Sequence, residues 1–350
     1  MNSTIKTNLF GLTLSQLKTL VESLGLPVFT ATQLADWLYK KQVVSFSDMT
    51  NLSKKAKEIF EKDYSINMIQ PSKVQTSTDG TKKYLYPTQT NKFIEAAYIP
   101  DADRATLCLS TQIGCKMGCL FCMTGKQGFQ GNLTTAEILN QVQTLPEFEK
   151  LTNIVYMGMG EPMDNVEAVL DSIEIMTSPW GYDWSPKRIT VSTIGIIPAM
   201  ITFLEKSQAH LAVSLHSPFD VERQEIMPIQ SVYPITEVIN EIRRWELGRQ
   251  RRISFEYIMF KGVNDTARHA NELVRLLNGI KCRINLIRFH PIPDTPLEGT
   301  SHEGIIEFQN RLKAKGLTVT IRASRGEDIF AACGLLSTKE LLKKQTETDF

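Results

Sequence analysis

Three cysteines that could bind metal lie in the stretch GCKMGCLFC, residues 114–122, as Cys115, Cys119 and Cys122. Their Cys-x3-Cys-x2-Cys spacing is informative because three thiolates can bind three irons of a cubane cluster and leave the fourth iron open to another ligand. A zinc site or three buried structural cysteines are the alternatives, but structural zinc usually has four ligands and no second cysteine pair follows. The spacing therefore favours a [4Fe–4S] cluster with one open position.

The stretch MGMGEP, residues 157–162, follows a predicted strand. Glycine lets the backbone come close to a ligand, and the Glu161 carboxylate beside Gly160 can accept hydrogen bonds from an ammonium group or from hydroxyls. The same turn is also a common strand-to-helix connection, so it is a weak signal by itself. Its position downstream of the cysteine loop favours a ligand contact.

Polar side chains end the next two predicted strands. Ser192 ends one strand, and Ser214, Leu215 and His216 end the following one. Hydroxyl and imidazole groups can bind ribose, carboxylate or adenine edges, although a single such group more often satisfies loop backbone. Two neighbouring strand ends with such groups, beside the cysteine loop, favour a ligand site.

Alternating strand and helix patterns must position these groups. Strands are predicted at 93–99, 106–110, 153–156, 188–192, 210–215, 253–258, 283–287 and 317–321, and helices at 135–144, 165–177, 235–247, 267–277 and 303–313. This alternation predicts an α/β fold with a parallel sheet, and six or so βα units predict a partial (β/α)6 barrel. Ligands of such barrels bind at the carboxyl ends of the strands, where the cysteine loop and the polar groups lie.

The beginning of the chain has a different pattern. Leucines recur at helical spacing from Leu12 to Leu24, and further helices are predicted over 31–39 and 53–60. We therefore expect a small helical N-terminal accessory domain at 1–75, a linker or β-hairpin at 76–104, a core at 105–325 and a C-terminal segment at 326–350.

The formal net charge of +1 conceals an uneven distribution. Residues 1–100 contain 12 Lys, no Arg and 8 acidic residues, about +4, which leaves about −3 for the rest. Basic residues that could neutralise phosphates, or could simply be solvated helix faces, are the lysine pairs at 40–41, 54–55 and 82–83 and the arginines Arg243, Arg244, Arg249, Arg251 and Arg252. We expect the N-terminal domain and the Arg249–Arg252 run to contact phosphates if the partner is a nucleic acid.

The sequence contains no stretch of about 20 apolar residues that could span a membrane, and the N-terminus lacks the apolar segment of a signal peptide. Six cysteines in 350 residues do not resemble a secreted disulfide framework. Since an oxygen-sensitive cluster also favours a reducing compartment, we expect a cytoplasmic protein without membrane contact.

Three cysteines lie outside the loop. Cys282 precedes a predicted strand and is best explained as a small buried apolar residue. Cys108 lies in the strand before the loop, where an inert core role is the default. Cys333 lies in the glycine-rich and charged stretch SRGEDIFAACG, residues 324–334, which is an unusual place for a rigid core residue.

The combination of Cys108 with the three-cysteine loop, MGMGEP, STIGIIP, SLHSP and GEDIFAACG resembles the RlmN family of radical S-adenosylmethionine (SAM) enzymes over essentially the whole chain. The resemblance implies a radical SAM barrel that methylates carbon 2 of an adenosine in 23S rRNA, at the peptidyl transferase centre, and of the anticodon-adjacent adenosine in tRNAs. The sister Cfr family methylates carbon 8 of the same rRNA adenosine and shares the cluster and both extra cysteines. Pro162 after Glu161 favours RlmN.

The resemblance also implies roles for the site residues. Cys115, Cys119 and Cys122 would hold the cluster, whose open iron binds SAM through its amino and carboxylate groups. The expected SAM contacts are Gly160, Glu161, Ser192, Ser214, Leu215, His216 and His290. His290 departs from the family, which commonly has Asn there, and histidine can still make one hydrogen bond of the same kind.

Two SAM molecules per turnover are implied. The first methylates the Cys333 thiolate, and the radical derived from the second removes a hydrogen from that S-methyl group. The carbon radical adds to the adenine, Glu95 removes the ring proton, and Cys108 attacks the Cys333 sulfur to form a transient disulfide that releases the methylated base.

Flavodoxin or ferredoxin is the implied electron donor, and we expect a monomer. Two other classes of function stay open at the sequence level. One is a radical SAM enzyme with another substrate, which would not need Cys108 and Cys333 at these positions. The other is an RNA-binding protein whose cluster is structural or redox-sensing.

Overall fold

A ten-stranded sheet is the centre of the fold in the computed structural model, which describes residues 6–245 and 251–338. In chain order the strands, including four short ones outside this sheet, are β1 (Thr7–Asn8), β2 (Tyr64–Ser65), β3 (Lys73–Thr76), β4 (Lys82–Pro87), β5 (Phe93–Asp101), β6 (Arg104–Cys108), β7 (Gln112–Ile113), β8 (Gly131–Asn132), β9 (Asn153–Tyr156), β10 (Ile189–Thr193), β11 (His210–Ser214), β12 (Ile253–Met259), β13 (Cys282–Arg288) and β14 (Thr318–Ile321).

The order across the sheet is β14-β13-β12-β11-β10-β9-β6-β5-β4-β3. The seven strands from β14 to β6 are parallel, and β6 to β3 are antiparallel. Side chains from β6, β9, β10, β12, β13 and β14 line one cavity, so the sheet curves around it. All eight predicted strands are confirmed, but the strand predicted at 93–99 (β5) is antiparallel to β6, and only the parallel strands with their helices form the predicted partial barrel.

α-Helices precede the sheet and alternate with its parallel strands. They are α1 (Leu14–Ser23), α2 (Phe29–Ala35), α3 (Lys54–Asp63), α4 (Met123–Gln127), α5 (Thr135–Gln143), α6 (Val166–Thr177), α7 (Ile197–Lys206), α8 (Asp220–Ile226), α9 (Ile235–Arg243), α10 (Ala267–Leu277) and α11 (His302–Ala314). Their apolar residues recur at helical spacing, as in α9, where Ile235, Val238, Ile239 and Ile242 are buried. The helix predicted over 235–247 ends earlier, at Arg243, and Leu247 lies outside the described residues.

The N-terminal helices α1 to α3 pack directly against the core. The Tyr39 hydroxyl donates to the carbonyl of Leu12 (2.6 Å) and its ring lies edge-on to Trp180 and Tyr182 of the barrel. The hairpin predicted before the core is continuous with the sheet, because β3, β4 and β5 extend it through β6.

The chain after β14 crosses the open side of the barrel. Arg325 forms an ion pair with Asp101 at the end of β5 (2.7 Å), and Asp328 accepts hydrogen bonds from Ser77 and Thr78 in the β3–β4 turn. These contacts hold the segment that carries Cys333 against the barrel. Among the described residues, no helix is long and apolar enough to cross a membrane.

Candidate active site

The three cysteines of the loop face one cavity of about 150 Å³ near the carboxyl ends of the strands. Cys115 follows β7, and Cys122 immediately precedes α4. Gly114 permits the turn, because its φ of +72° is unfavourable for other residues and a Cβ there would lie 1.7 Å from the carbonyl oxygen of Gly128. All three thiols are half-buried, with Met117 and Phe121 around them.

The donor set fits an iron–sulfur cluster better than a single metal ion. Three thiolates are one ligand short of the usual structural zinc site, whereas they suffice for three irons of a cluster. Burial raises the pKa of the Cys115 thiol to about 12 and also raises that of Cys119 well above its usual value, and the neighbouring thiols add to both shifts. Thiols so close in an apolar cavity need a cationic partner to be deprotonated, as cluster irons would provide.

The predicted SAM contacts largely line the same cavity. Gly160, Glu161, Ser192, Ser214 and His216 all border it. They come from the ends of β9, β10 and β11, which are adjacent in the sheet. The cavity therefore combines three thiols with a carboxylate, two hydroxyls and an imidazole.

Glu161 is almost fully buried and held by backbone donors. The N–H of Met163 donates to its Oε1 and that of Ile194 to its Oε2, each at 3.0 Å. Burial raises the pKa of Glu161 to about 7, although these hydrogen bonds and one from Thr193 lower it. The carboxylate is therefore available to a cationic ligand group near neutral pH.

His216 is held in one orientation and one tautomer. Its Nδ1 accepts from the N–H of Ile258 (3.0 Å), so the ring proton is on Nε2. Burial, and secondarily the charge of Arg223, lower the pKa of His216 to about 3, so the ring is neutral. Asn264 donates to the His216 carbonyl (2.6 Å), which supports its φ of +57°.

Arg223 organises these loops, and the sequence analysis missed it. Its guanidinium is fully buried and donates to the carbonyls of Leu215, Ile194 and Ser214 and to the Gln230 side chain, at 2.5–3.0 Å. An arginine within an amphipathic helix usually faces solvent, so no local signal distinguished it. Leu215 itself is a fully buried core residue, and only its backbone takes part in the site.

Cys108 and Cys333 are free thiols that line a second cavity, of about 390 Å³. Cys333 also borders the first cavity, so it lies between the two. Burial, and then the nearby Cys333, raise the pKa of Cys108 to about 12, whereas Arg322 lowers it. Arg322 is paired with the buried Glu256 (3.3 Å). The sequence carried a signal for this group, because Ser254 and Glu256 lie two residues apart in the otherwise apolar β12. Residues two apart in a strand face the same side of the sheet.

Comparisons with known proteins agree with this geometry. Residues 109–276 match the family model of the radical SAM superfamily, and residues 7–66 match that of the ribosomal RNA large subunit methyltransferase N-terminal domain. A probable dual-specificity RNA methyltransferase RlmN of Parabacteroides distasonis is 55% identical over 95% of this chain and 97% of its own. The chain belongs to the RlmN family.

A more distant relative and a solved structure are also similar to this family member. The dual-specificity RNA methyltransferase RlmN of Syntrophus aciditrophicus is 41% identical over 96% of this chain and 98% of its own. The crystal structure of a radical SAM methyltransferase from Sphaerobacter thermophilus superposes with a TM-score of 0.86, at 39% identity, and covers 94% of this chain and 99% of that one. The similarity in structure thus extends over nearly the whole chain.

Besides Cys108 and Leu215, two more predicted site residues of this RlmN family member, His290 and Glu95, lie outside the cluster cavity. His290 lines the second cavity instead, where its Nε2 lies 3.1 Å from the Ser324 hydroxyl. Glu95 is fully buried, pairs with Lys83 (3.2 Å) and accepts from the backbone N–H of Ser337 (2.9 Å). Their roles as SAM contact and as base stay predictions.

Some of the lysines predicted to contact phosphates are exposed, and others form ion pairs within the protein. Lys54 and Lys55 are exposed on α3, as an RNA contact requires. Contrary to expectation, the pair at 82–83 offers no free patch, because Lys82 binds Glu147 (2.7 Å) and Lys83 is buried against Glu95.

Some of the arginines predicted to contact phosphates are bound to other groups of the protein, and others are not. Arg251 turns inward and donates to the carbonyl of Leu204 (2.9 Å), so it is not a phosphate contact, whereas Arg252 lines the second cavity. Arg243 donates to the carbonyl of Leu276 (2.6 Å), and Arg244 pairs with Glu241 (2.7 Å). Arg249 lies outside the described residues.

Proposed function

We propose that the protein is a radical SAM RNA methyltransferase that methylates carbon 2 of an adenosine in 23S rRNA and of the anticodon-adjacent adenosine in tRNAs. One observation carries this proposal beyond family membership. Cys333 lies between the cluster cavity and a second cavity of about 390 Å³, and Cys108 lines that second cavity. This arrangement supplies a methyl carrier and a second thiol that can release the product from it.

The [4Fe–4S] cluster and two SAM molecules per turnover supply the methyl group and the radical chemistry that an electron-poor adenine carbon requires. The residues that hold the cluster are Cys115, Cys119 and Cys122. Glu161 and the neutral His216 bind and orient SAM from two adjacent strand ends. The apolar shell of Met117 and Phe121 limits access of water to the site.

In this proposal Cys333 accepts the first methyl group, and Cys108 later attacks the Cys333 sulfur to release the base. The positive Arg322 lies near both sulfurs and opposes part of the rise that burial causes in the pKa of Cys108, which favours the attacking thiolate. Glu95 would remove the ring proton. Because the N–H of Ser337 binds the Glu95 carboxylate, the segment that carries Cys333 also positions this base.

The partners follow from the same proposal. The helical domain at 1–75 would contact RNA through Lys54 and Lys55, and the segment at 326–350 would carry the methyl acceptor. The enzyme would work in the cytoplasm as a monomer, with flavodoxin or ferredoxin as the electron donor. The RNA substrates support the cytoplasmic location.

The test is product analysis with anaerobically reconstituted protein, reductant, methyl-labelled SAM and rRNA or tRNA transcripts. We expect 2-methyladenosine in the digested nucleosides, and its loss in Cys333→Ala. Cys282→Ala is the matched control, because Cys282 is a free thiol at the opposite end of a barrel strand. 8-Methyladenosine would support the Cfr activity instead. An intact cluster with no SAM cleavage upon reduction would support an RNA-binding protein.

A further inference from the structure

The second cavity extends from Cys333 and Cys108 to the amino-terminal ends of the strands. Five arginines line it, against two carboxylates, an excess of three positive charges. Both carboxylates are already engaged, since Glu256 pairs with Arg322 and Asp101 with Arg325. The excess positive charge therefore belongs to the other three arginines.

That excess comes from Arg104, Arg252 and Arg283, which lie together at the end of the barrel opposite the cluster. Arg104 is the first residue of β6, Arg252 immediately precedes β12, and Arg283 is the second residue of β13. Cys108 lies four residues along β6 from Arg104, about 13 Å at the rise of a β-strand. The three arginines therefore form the far end of a passage that leads to the reactive thiols.

These three guanidinium groups have no carboxylate partner within the described residues, unlike Arg322 and Arg325. The Nε of Arg283 is buried and has no hydrogen-bond partner in that part of the chain. Burial and the charges of Arg283 and Arg104 lower the pKa of Arg252. Arg104 and Arg252 are exposed and Arg283 is half-buried, so water screens part of their mutual repulsion. An anionic ligand in the cavity would be attracted by all three charges.

From this geometry we infer that Arg104, Arg252 and Arg283 bind phosphodiester groups of the RNA strand beside the target adenosine. The inference rests on the proposed function and adds the side from which RNA approaches. Arginine suits phosphate because its planar fork donates two parallel hydrogen bonds. Contacts to phosphates position the nucleic acid, whereas base contacts in a pocket select the target.

The shape of the site supports RNA as the occupant. Cys333 lines this passage, whose volume of about 390 Å³ falls within the usual range for ligand pockets. The inner wall between the arginines and Cys333 carries Thr106, Thr190 and Asn285, which can hydrogen-bond a ribose or a base edge. A base that has left its stack would be held there while the arginines hold its backbone.

The test compares Arg104→Gln, Arg252→Gln, Arg283→Gln and the triple variant with Arg311→Gln. Arg311 is the matched control, since it pairs with Glu307 on the outer helix α11. The affinity for a tRNA anticodon stem-loop is measured as a function of salt. The slope of log affinity against log salt concentration should become shallower by about 0.7 for each lost phosphate contact, and by about 2 in the triple variant. If all variants bind equally at 1 M salt, these slopes predict that binding at 0.15 M salt is about 4-fold weaker for each single variant and about 50-fold weaker for the triple variant.

Methylation of Cys333, followed by mass spectrometry of the protein without RNA, should be unchanged in these variants and reports that they fold. If the triple variant does not fold, Arg104→Gln alone decides, because this exposed residue begins a strand. Wild-type protein that makes no 2-methyladenosine would overturn the proposed function. Wild-type protein that makes it, with arginine variants that keep the salt slope and product rate of Arg311→Gln, would overturn the phosphate site alone.

Discussion

Replacing Arg223 with lysine is expected to disrupt the SAM pocket although the positive charge is retained. The arginine fork spans the loops after β10 and β11 with donors to three backbone carbonyls, and it also holds Gln230. Burial lowers the pKa of Arg223 to about 10, so the group is still charged at neutral pH. A lysine ammonium at the same place carries its donors on one atom and cannot span both loops.

The size of the effect follows from the number of hydrogen bonds lost. We expect lysine to keep at most two of the four, and a hydrogen bond from a charged donor contributes about 1.5–3 kcal/mol. The free energy of unfolding should therefore fall by about 3–6 kcal/mol, a large part of the ~5–15 kcal/mol typical of a domain. SAM affinity should fall as well, because Ser214 and His216 lose their positioning.

Urea unfolding and SAM titration of reconstituted protein measure the two effects. Arg268→Lys is the control, since Arg268 pairs with Glu222 (3.1 Å) on the surface and its loss should cost under about 1 kcal/mol. If Arg223→Lys and Arg268→Lys unfold at the same urea concentration, the guanidinium fork does not hold these loops together and the reasoning is wrong.

Three further outcomes are expected. Glu95→Gln should lower the free energy of unfolding by about 3–5 kcal/mol, because it leaves Lys83 buried without its charged partner. Adding Lys83→Met should recover most of that loss in urea unfolding. If the two substitutions act independently, Glu95 and Lys83 do not stabilise each other as an ion pair. Glu161→Gln should weaken SAM binding more at pH 8 than at pH 6 in calorimetry, because a pKa of about 7 leaves the wild-type carboxylate about nine-tenths protonated at pH 6; a pH-independent difference would refute this. Gly160→Ala should lower the melting temperature more than Gly279→Ala, since both positions have positive φ but only at Gly160 would a Cβ lie 2.5 Å from another side chain; equal shifts would exclude the clash.

The sequence was sufficient where the chemistry depends on local spacing. Cys115, Cys119 and Cys122 lie within eight residues, so their shared cavity follows from one loop. Periodicity located all eight predicted strands. Because carboxyl ends of adjacent parallel strands meet at one edge, Glu161 and His216 could be placed together before any contact was known.

The sequence could not predict which charged side chains turn inward. Nothing local separates the buried Lys83 from the exposed Lys54, or Arg223 from Arg268, since each belongs to an ordinary strand or helix pattern. Their environments depend on residues far along the chain, as when Lys83 of β4 meets Glu95 of β5 under the segment that carries Ser337.

The sequence by itself determined the order of strands and helices and the family, and it located three cysteines in one loop. Only the tertiary structure decided that Cys333 lies between two cavities, that Arg322 and Glu256 lie beside it, and that Arg104, Arg252 and Arg283 share the far end of the passage. The physical reason is that periodicity reports which face of an element is apolar. Which polar groups meet inside a curved sheet depends instead on strand register and on how the chain closes its open side.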